Sequence, residues 1–292
     1  MNYPVRVLCR VMRVSRSCFY EYLRRRALDD ARGKGEAARV RECFYLHRRR
    51  YGSRRIAHDL KMGRCRVRRL MREMNLIAIQ PRSFKPRTTD SGHDKLISPN
   101  LLREVALPLT WGEQIVGDIT YLPLIGGGFV YLATFQDRKT KRVVGWWIAD
   151  SLEAELVVKA LQMALRRGLI KRGAIIHTDR GSQYVSKDYR DLLERCGLRQ
   201  SMSGKGNCYD NAQAESFFSR FKAEMVTADT FEPIRAFQDL FHARQEAFSY
   251  IDGYYNRIRL HSSIDNMSPI EFEKELKTKA GRRNMPDFCV HV

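Results

Sequence analysis

Two aspartates stand where a folding chain tolerates a carboxylate least. Asp118 lies inside the apolar run IVGDITYLPL, and Asp179 closes another in AIIHTDRGSQY. Runs of this kind read as strands that send side chains into a core. A carboxylate left on such a strand is costly unless it is paired or binds a metal. The fold must therefore bring compensating charge to both strands. A third acid, Glu215, falls on a helical pattern in DNAQAESFFSRFKAEM. Sixty residues lie between Asp118 and Asp179, and 35 between Asp179 and Glu215.

If strands 114–124 and 174–178 are neighbours, the two aspartates meet, and the helix carrying Glu215 packs across the sheet edge. Two unit charges about 4 Å apart repel by roughly 4 kcal/mol at an effective dielectric of 20. A cation offsets that repulsion. Magnesium prefers hard oxygen ligands and keeps several waters, so a few carboxylates suffice to hold it. Two such ions activate an attacking oxygen and stabilise the leaving one at a phosphodiester. Metal-dependent phosphoryl transfer is the chemistry that the trio suits.

Charge points to the same class of partner. The net charge is +20, but residues 1–100 carry 26 Lys and Arg against 9 Asp and Glu. The remaining 192 residues are nearly balanced, 27 against 24. That asymmetry suggests a polyanion-binding arm on a nearly neutral body, with a merely solvated basic face as the bland alternative. No apolar run reaches the roughly 20 residues of a membrane span, and no secretory leader pattern opens the chain. Seven scattered cysteines without a CxxC read as reduced thiols of a cytoplasmic protein rather than a zinc module.

The first hundred residues read as helices. Val7, Leu8, Val11 and Met12 mark one; Ser15 is a candidate cap for a short second helix through Phe19, Tyr20 and Leu23. A second pair is better marked. Ser53 is expected to cap a helix with Ile56, Ala57 and Leu60 inward, and Met62-Gly63 to make the turn. The next helix sets Val67, Leu70, Met71 and Met74 on one face and Arg64, Arg66, Arg68, Arg69 and Arg72 on the others. Apolar stripe plus arginines suits a DNA groove or backbone, although a basic surface helix would look the same.

Residues 80–108 read as a linker. Beyond it, strands are expected at 114–124, 128–136 and 142–149, with Gly126-Gly127-Gly128 turning between the first two. Helix 152–167, strand 174–178, helix 186–196, a strand near 198–202 and helix 210–226 follow. Three antiparallel strands and then alternating helices and strands describe an RNase H-like α/β core with a mixed five-stranded sheet and flanking helices. An all-helical, helix-turn-helix-like basic region precedes it. The expected domains are 1–79, the linker 80–108, the core 109–226 and a helical extension 227–292, with one long helix over 233–255.

On the Glu215 helix, Asp210 or Asn211 can cap, and Ala214, Phe217, Phe218, Phe221 and Met225 form an apolar side. Asn211, Glu215, Ser219 and Lys222 line another, with room for a phosphate near Glu215 and Lys222. His177 and Asp137 read as structural. Trp146 and Trp147 read as one core and one outward position. Gly181-Ser182-Gln183 makes a polar turn that DNA can approach, and Gly204–Asn207 a loop that orders on binding. Tyr254, Tyr255, Asn256, Arg257, Arg259 and His261 suit either nucleic-acid contact or packing.

The stretches VGDITYL, HTDRGSQY, SMSGKGNCYDNAQAESFFSRFK and YIDGYYNRIRLHSSIDNMSPIEFE resemble the motifs of OrfB-type insertion-sequence transposases, which share the DDE core of retroviral integrases. The resemblance runs through YGSRRI and NRIRLHSSI and so covers nearly the whole chain. It implies a polynucleotidyl transferase in which Asp118, Asp179 and Glu215 bind two Mg²⁺ or Mn²⁺ ions. Such an enzyme nicks element ends and joins the freed 3′-OH to another strand. Lys222 matches the basic residue that contacts DNA; Asn211 and Arg259 join the arginines above as expected DNA contacts. Implied partners are double-stranded DNA at element ends and target, further copies of the chain on that DNA, and an upstream-frame protein or fusion, all in a bacterial cytoplasm on the nucleoid. Gln136 and the Lys139-Thr140-Lys141 that follows depart from the family pattern. A hydrolytic nuclease of the same fold and a non-catalytic helix-turn-helix protein are the competing readings; three intact acids argue against the latter.

Overall fold

Valine, isoleucine and aromatic residues, which fit a pleated half-buried surface, supply the strands β1 (Gln114–Pro123), β2 (Phe129–Asp137) and β3 (Val143–Ala149). Shorter strands β4 (Ile175–Thr178) and β5 (Arg199–Met202) complete one sheet in the order β3-β2-β1-β4-β5. The computed structural model describes residues 3–80, 98–103, 105–204, 212–227 and 229–283. Its two units are Met1–Ile79 and Gln80–Val292.

In the first unit, α1 (Val5–Val11) leads to α2 (Arg16–Leu46), capped by Ser15, whose oxygen accepts from the Cys18 amide at 3.1 Å. The cap is where the sequence places it, but the helix is not short. It runs 31 residues, because no proline interrupts it and the pairs Glu21–Arg25 and Arg32–Glu36 offset the low helix propensity of Gly33 and Gly35. Helix α3 (Ser53–Asp59) begins after Gly52, whose extended backbone takes the cap position, so Ser53 makes no capping bond. The turn at Met62-Gly63 leads into α4 (Arg64–Glu73), which buries Val67, Leu70 and Met71. Cys43 and His47 both hydrogen-bond to Asp59 Oδ2, at 3.2 and 3.3 Å, and tie α2 to α3. Burial pushes the Cys43 thiol up to about 12, which fits a reduced structural thiol.

In the second unit β1, β2 and β3 are antiparallel, whereas β4 runs parallel to β1 and β5 parallel to β4. Gly127 and Gly128, at φ 91° and 81°, make the β1–β2 turn that a side chain would strain. Helix α5 (Ala154–Arg166) lays Leu156, Val157, Ala160, Leu161 and Ala164 on the sheet over Ile115, Ala133, Phe135, Val144 and Ile176. Gly145 on β3 permits that approach: a Cβ there would strike the Ala160 carbonyl and lie 2.8 Å from the Ala164 methyl. Helix α6 (Lys187–Arg195) is capped by Ser186, and α7 (Ala212–Glu224) packs beside β1.

The long helix expected over 233–255 forms only from Leu240 onward. Residues 233–239 instead extend the β1–β2 hairpin, with Phe237 accepting from the Ile125 amide at 2.9 Å and donating to the Pro123 carbonyl at 2.8 Å. Asp239 then caps α8 (Leu240–Phe248), which passes into a π-helical turn, Ser249–Tyr255. That wide turn buries Tyr250, Ile251, Tyr254 and Tyr255 together. Asn256 holds both backbone groups of Val143 at 3.0 Å, covering the outer edge of β3. Helix α9 (Pro269–Arg283) is joined to the β2–β3 turn by Arg142 and Glu273 at 2.7 Å.

Candidate active site

The parallel register places Val116 opposite His177. Counting two residues onward along both strands sets Asp118 level with Asp179, and residues level in a parallel pair face the same side. Gly117, just before Asp118, has no side chain because a Cβ would sit 2.6 Å from the Phe135 ring. The Asp118 carboxylate accepts from the Ile119 amide at 2.9 Å, and Asp179 from the Gly181 amide at 3.0 Å.

Glu215 lies near enough for its charge to be felt at Asp118. The Asp118 carboxyl is held well above the usual carboxylate range, first by burial, then by the charge of Asp179, with Glu215 adding to the effect. The Ile119 amide and Lys222 pull the other way. Lys222 in turn is pushed down by the protein packed around it, although its side chain reaches the surface, and up by Asp118. Helix α7 buries Ala214, Phe217, Phe218 and Phe221 and leaves Glu215, Ser219 and Lys222 exposed on another side. Asp118, Asp179 and Glu215 offer hard oxygen donors of the kind a divalent cation takes.

What holds α7 comes from the C-terminal segment. Phe217 meets Tyr255 edge-on at 5.0 Å, and Phe221 meets Tyr250 at 5.3 Å. At its end, buried Glu224 accepts from Arg259 at 2.5 and 2.7 Å and from the Tyr250 hydroxyl at 2.9 Å.

Residues 111–208 match the integrase core domain family, residues 196–269 a second integrase core domain family, and residues 32–84 an HTH-like domain. The transposase InsF of insertion sequence IS3A from Escherichia coli K12 is 36% identical over 285 residues, 94% of this chain and 95% of that protein. The chain belongs to the insertion-sequence transposase family. A 31 kDa protein of insertion element IS600 from Shigella sonnei is 37% identical to this transposase, over 92% of the chain and 98% of its own length. Among solved structures, the catalytic core domain of HTLV-2 integrase in complex with magnesium gives a TM-score of 0.42 at 11% identity, covering 56% of this chain and 98% of that one. A likeness of that size carries no weight beside the sequence relatives.

The other expected site residues of the transposase fare differently. Arg64, Arg68 and Arg72 are exposed on α4, while Arg66 engages Glu36 at 2.7 Å and Arg69 engages Glu73 at 3.6 Å. Arg259 is corrected. It is 1% exposed and its guanidinium is spent on Glu224, so no phosphate reaches it. Its neighbours Tyr254, Tyr255, Asn256 and His261 are buried too, and only Arg257 of that cluster is exposed. Packing, not base contact, is what the cluster does. Asn211, Asp210 and the segment from Lys205 to Asn207 lie outside the described residues. His177 is fully buried against Ser201 at 2.8 Å, and Asp137 accepts from the Gly112 and Thr140 amides, both at 2.6 Å; each is structural. Trp146 is buried with its indole N–H on Asp252 at 2.9 Å, whereas Trp147 lies under Arg244 and Lys159.

The sequence reading missed Gln213. It sits two residues before Glu215 and bonds to Gln136 and Lys141.

Proposed function

We propose that this transposase nicks the ends of its element and joins the freed 3′-OH to another DNA strand, with Asp118, Asp179 and Glu215 as its catalytic carboxylates. The observation that carries the proposal is the parallel pairing of β1 with β4, whose register continued by two residues sets Asp118 level with Asp179. Two divalent ions, Mg²⁺ or Mn²⁺, held by these residues would supply activation of the attacking oxygen and stabilisation of the leaving one. The sheet holds two of the carboxylates in fixed register, and α7 brings the third from its own side. Lys222 is proposed to meet the scissile phosphate as a cation. Asn211 is proposed beside it on the DNA.

Arg64, Arg66, Arg68, Arg69 and Arg72 are proposed to hold the element end, supported by their place on α4 within the HTH-like region. The proposed domains are 1–79, a linker over 80–108, a core over 109–226 and an extension over 227–292; the division of the backbone after Ile79 supports the first boundary. Further copies of the chain on paired ends, and an upstream-frame protein or fusion, are proposed partners.

A strand-transfer assay with a pre-cleaved end tests the reading. Asp118→Asn, Asp179→Asn and Glu215→Gln should each lose nicking and joining by at least about a thousandfold, in the range of removing one essential charge stabiliser, while gel-shift affinity for the element end is kept. Nicking without any joined product in the unmodified enzyme would leave a hydrolytic nuclease instead.

A further inference from the structure

Gln136 near the end of β2 and Lys141 in the β2–β3 turn converge on one side chain of the Glu215 helix, Gln213. Gln136 sits at an irregularity of the β2–β3 pairing, between Phe135 and Gln136, and is 2% exposed. Such irregularities turn a side chain away from its regular direction. Its amide nitrogen donates to the Tyr255 hydroxyl at 2.7 Å and the Lys141 carbonyl at 2.8 Å, and its amide oxygen accepts from Gln213 at 3.0 Å. Gln213 donates also to the Asp137 carbonyl at 3.0 Å and accepts from the Lys141 ammonium at 2.8 Å. Lys141 has a left-handed backbone, φ 62°, and its ammonium donates in addition to the Arg138 carbonyl at 2.8 Å. A lysine adopts that conformation only where its surroundings enforce it.

We propose that Gln136, Gln213 and Lys141 form a positioning bridge that fixes the first turn of α7 and so sets Glu215 against Asp118 and Asp179. The bridge rests on the reading of Glu215 as a catalytic carboxylate. Two residues of helix separate Gln213 from Glu215, about 200° of rotation. One side chain therefore fastens the helix to the β2–β3 turn while the other is presented on the far side. Phe217 and Phe221 fix the apolar face further along; at the first turn Ala214 is buried and the bridge supplies the polar contacts of Gln213. A simple pairing of buried amides would serve stability and nothing else, and the two roles separate experimentally. Replacing one amide by an apolar group strands the other, whereas replacing both removes that mismatch and leaves the bonds to Tyr255, Asp137 and Lys141 lost in either case.

The test uses the full chain with Gln213→Leu, Gln136→Leu and the double variant Gln136→Leu/Gln213→Leu. Three readouts are taken: thermal unfolding, the rise in unfolding temperature on adding Mn²⁺ without DNA, and strand-transfer rate. Each single variant should lower the unfolding temperature, shrink the Mn²⁺-induced rise and slow transfer by about tenfold to a hundredfold, as misplaced catalytic groups do. The double variant should lose less unfolding temperature than the two single losses added together, and should regain neither the Mn²⁺ response nor the rate. Recovery of all three in the double variant, or unchanged Mn²⁺ response and rate in the singles, overturns the bridge. Should Gln213→Leu not fold, Gln213→Glu keeps the acceptor for Lys141 and loses both donated bonds; a wild-type Mn²⁺ response there also overturns it. Glu215→Gln is the control. If it keeps wild-type activity and Mn²⁺ response, the functional reading has failed rather than the bridge.

Discussion

Asp118 makes the metal-free transposase least comfortable at the pH where it works. Burial, Asp179 and Glu215 raise its folded-state pKa above the ordinary value of about 3.9. A carboxyl raised on folding contributes stability that is complete below the unfolded value and is lost as pH rises through the folded one. Without metal, the unfolding temperature should therefore fall as pH increases from mildly acidic toward neutral and beyond. Asp118→Asn should flatten that fall and be the more stable protein at neutral pH; identical pH profiles for the two would refute the linkage. Arg259 has a different expected signature. Arg259→Met leaves Glu224 buried and unpaired, which should cost about 3–5 kcal/mol in denaturant unfolding, with the salt dependence of DNA binding unchanged. The contrast shows what was legible at this scale. Asp118, Asp179 and Glu215 could be read from their apolar and helical settings, because each setting is local. Arg259 could not, since its destination depends on Glu224, 35 residues away, and on a tyrosine, Tyr250, that closes over both.

Among elements, those with strong periodicity were legible to within a residue or two: the five strands, α5, α6 and α7 all stand where their patterns place them. Elements decided by tertiary partners were not. Helix α2 runs on past Leu23 because nothing local stops it, and residues 233–239 abandon a helix because the hairpin of β1 and β2 offers Phe237 two backbone bonds. Contact between α5 and the sheet is equally specific. Gly145→Ala would drive a methyl into the backbone of α5 at Ala160. The helix must then lift, and a loss of at least about 1–3 kcal/mol, the usual cost of overpacking, is expected in chemical unfolding. An unfolding midpoint equal to wild type would show that α5 yields more easily than its packing implies.

Across the molecule, most of the net positive charge lies in the first hundred residues, and the groove between α2 and α4 shows how part of it is distributed. Arg32, Lys34, Arg66 and Arg69 line that groove together with Glu36 and Glu73, so part of the charge is already engaged there. Arg64, Arg68 and Arg72 are the better candidates for binding phosphate. Replacing all three by Gln in the full chain should reduce the slope of log affinity against log salt by about 0.9 for each phosphate that is no longer neutralised. A slope unchanged from wild type would remove α4 from the DNA interface. Among the described residues no helix is long and apolar enough to cross a membrane.

The ladder between β1 and β4 also decides how the chain can change in length. Gln114, Ile115 and Val116 face Ile175, Ile176 and His177 one for one. A single residue added within either strand would turn its aspartate to the opposite face of the sheet. Residues added at the glycine turn after Leu124, or between Ala149 and α5, would stretch the interval between the aspartates and move neither. Divergent copies of the element should therefore gather their insertions in those connections. The interval of sixty is a property of loops; only the pairing of two short strands has to be inherited.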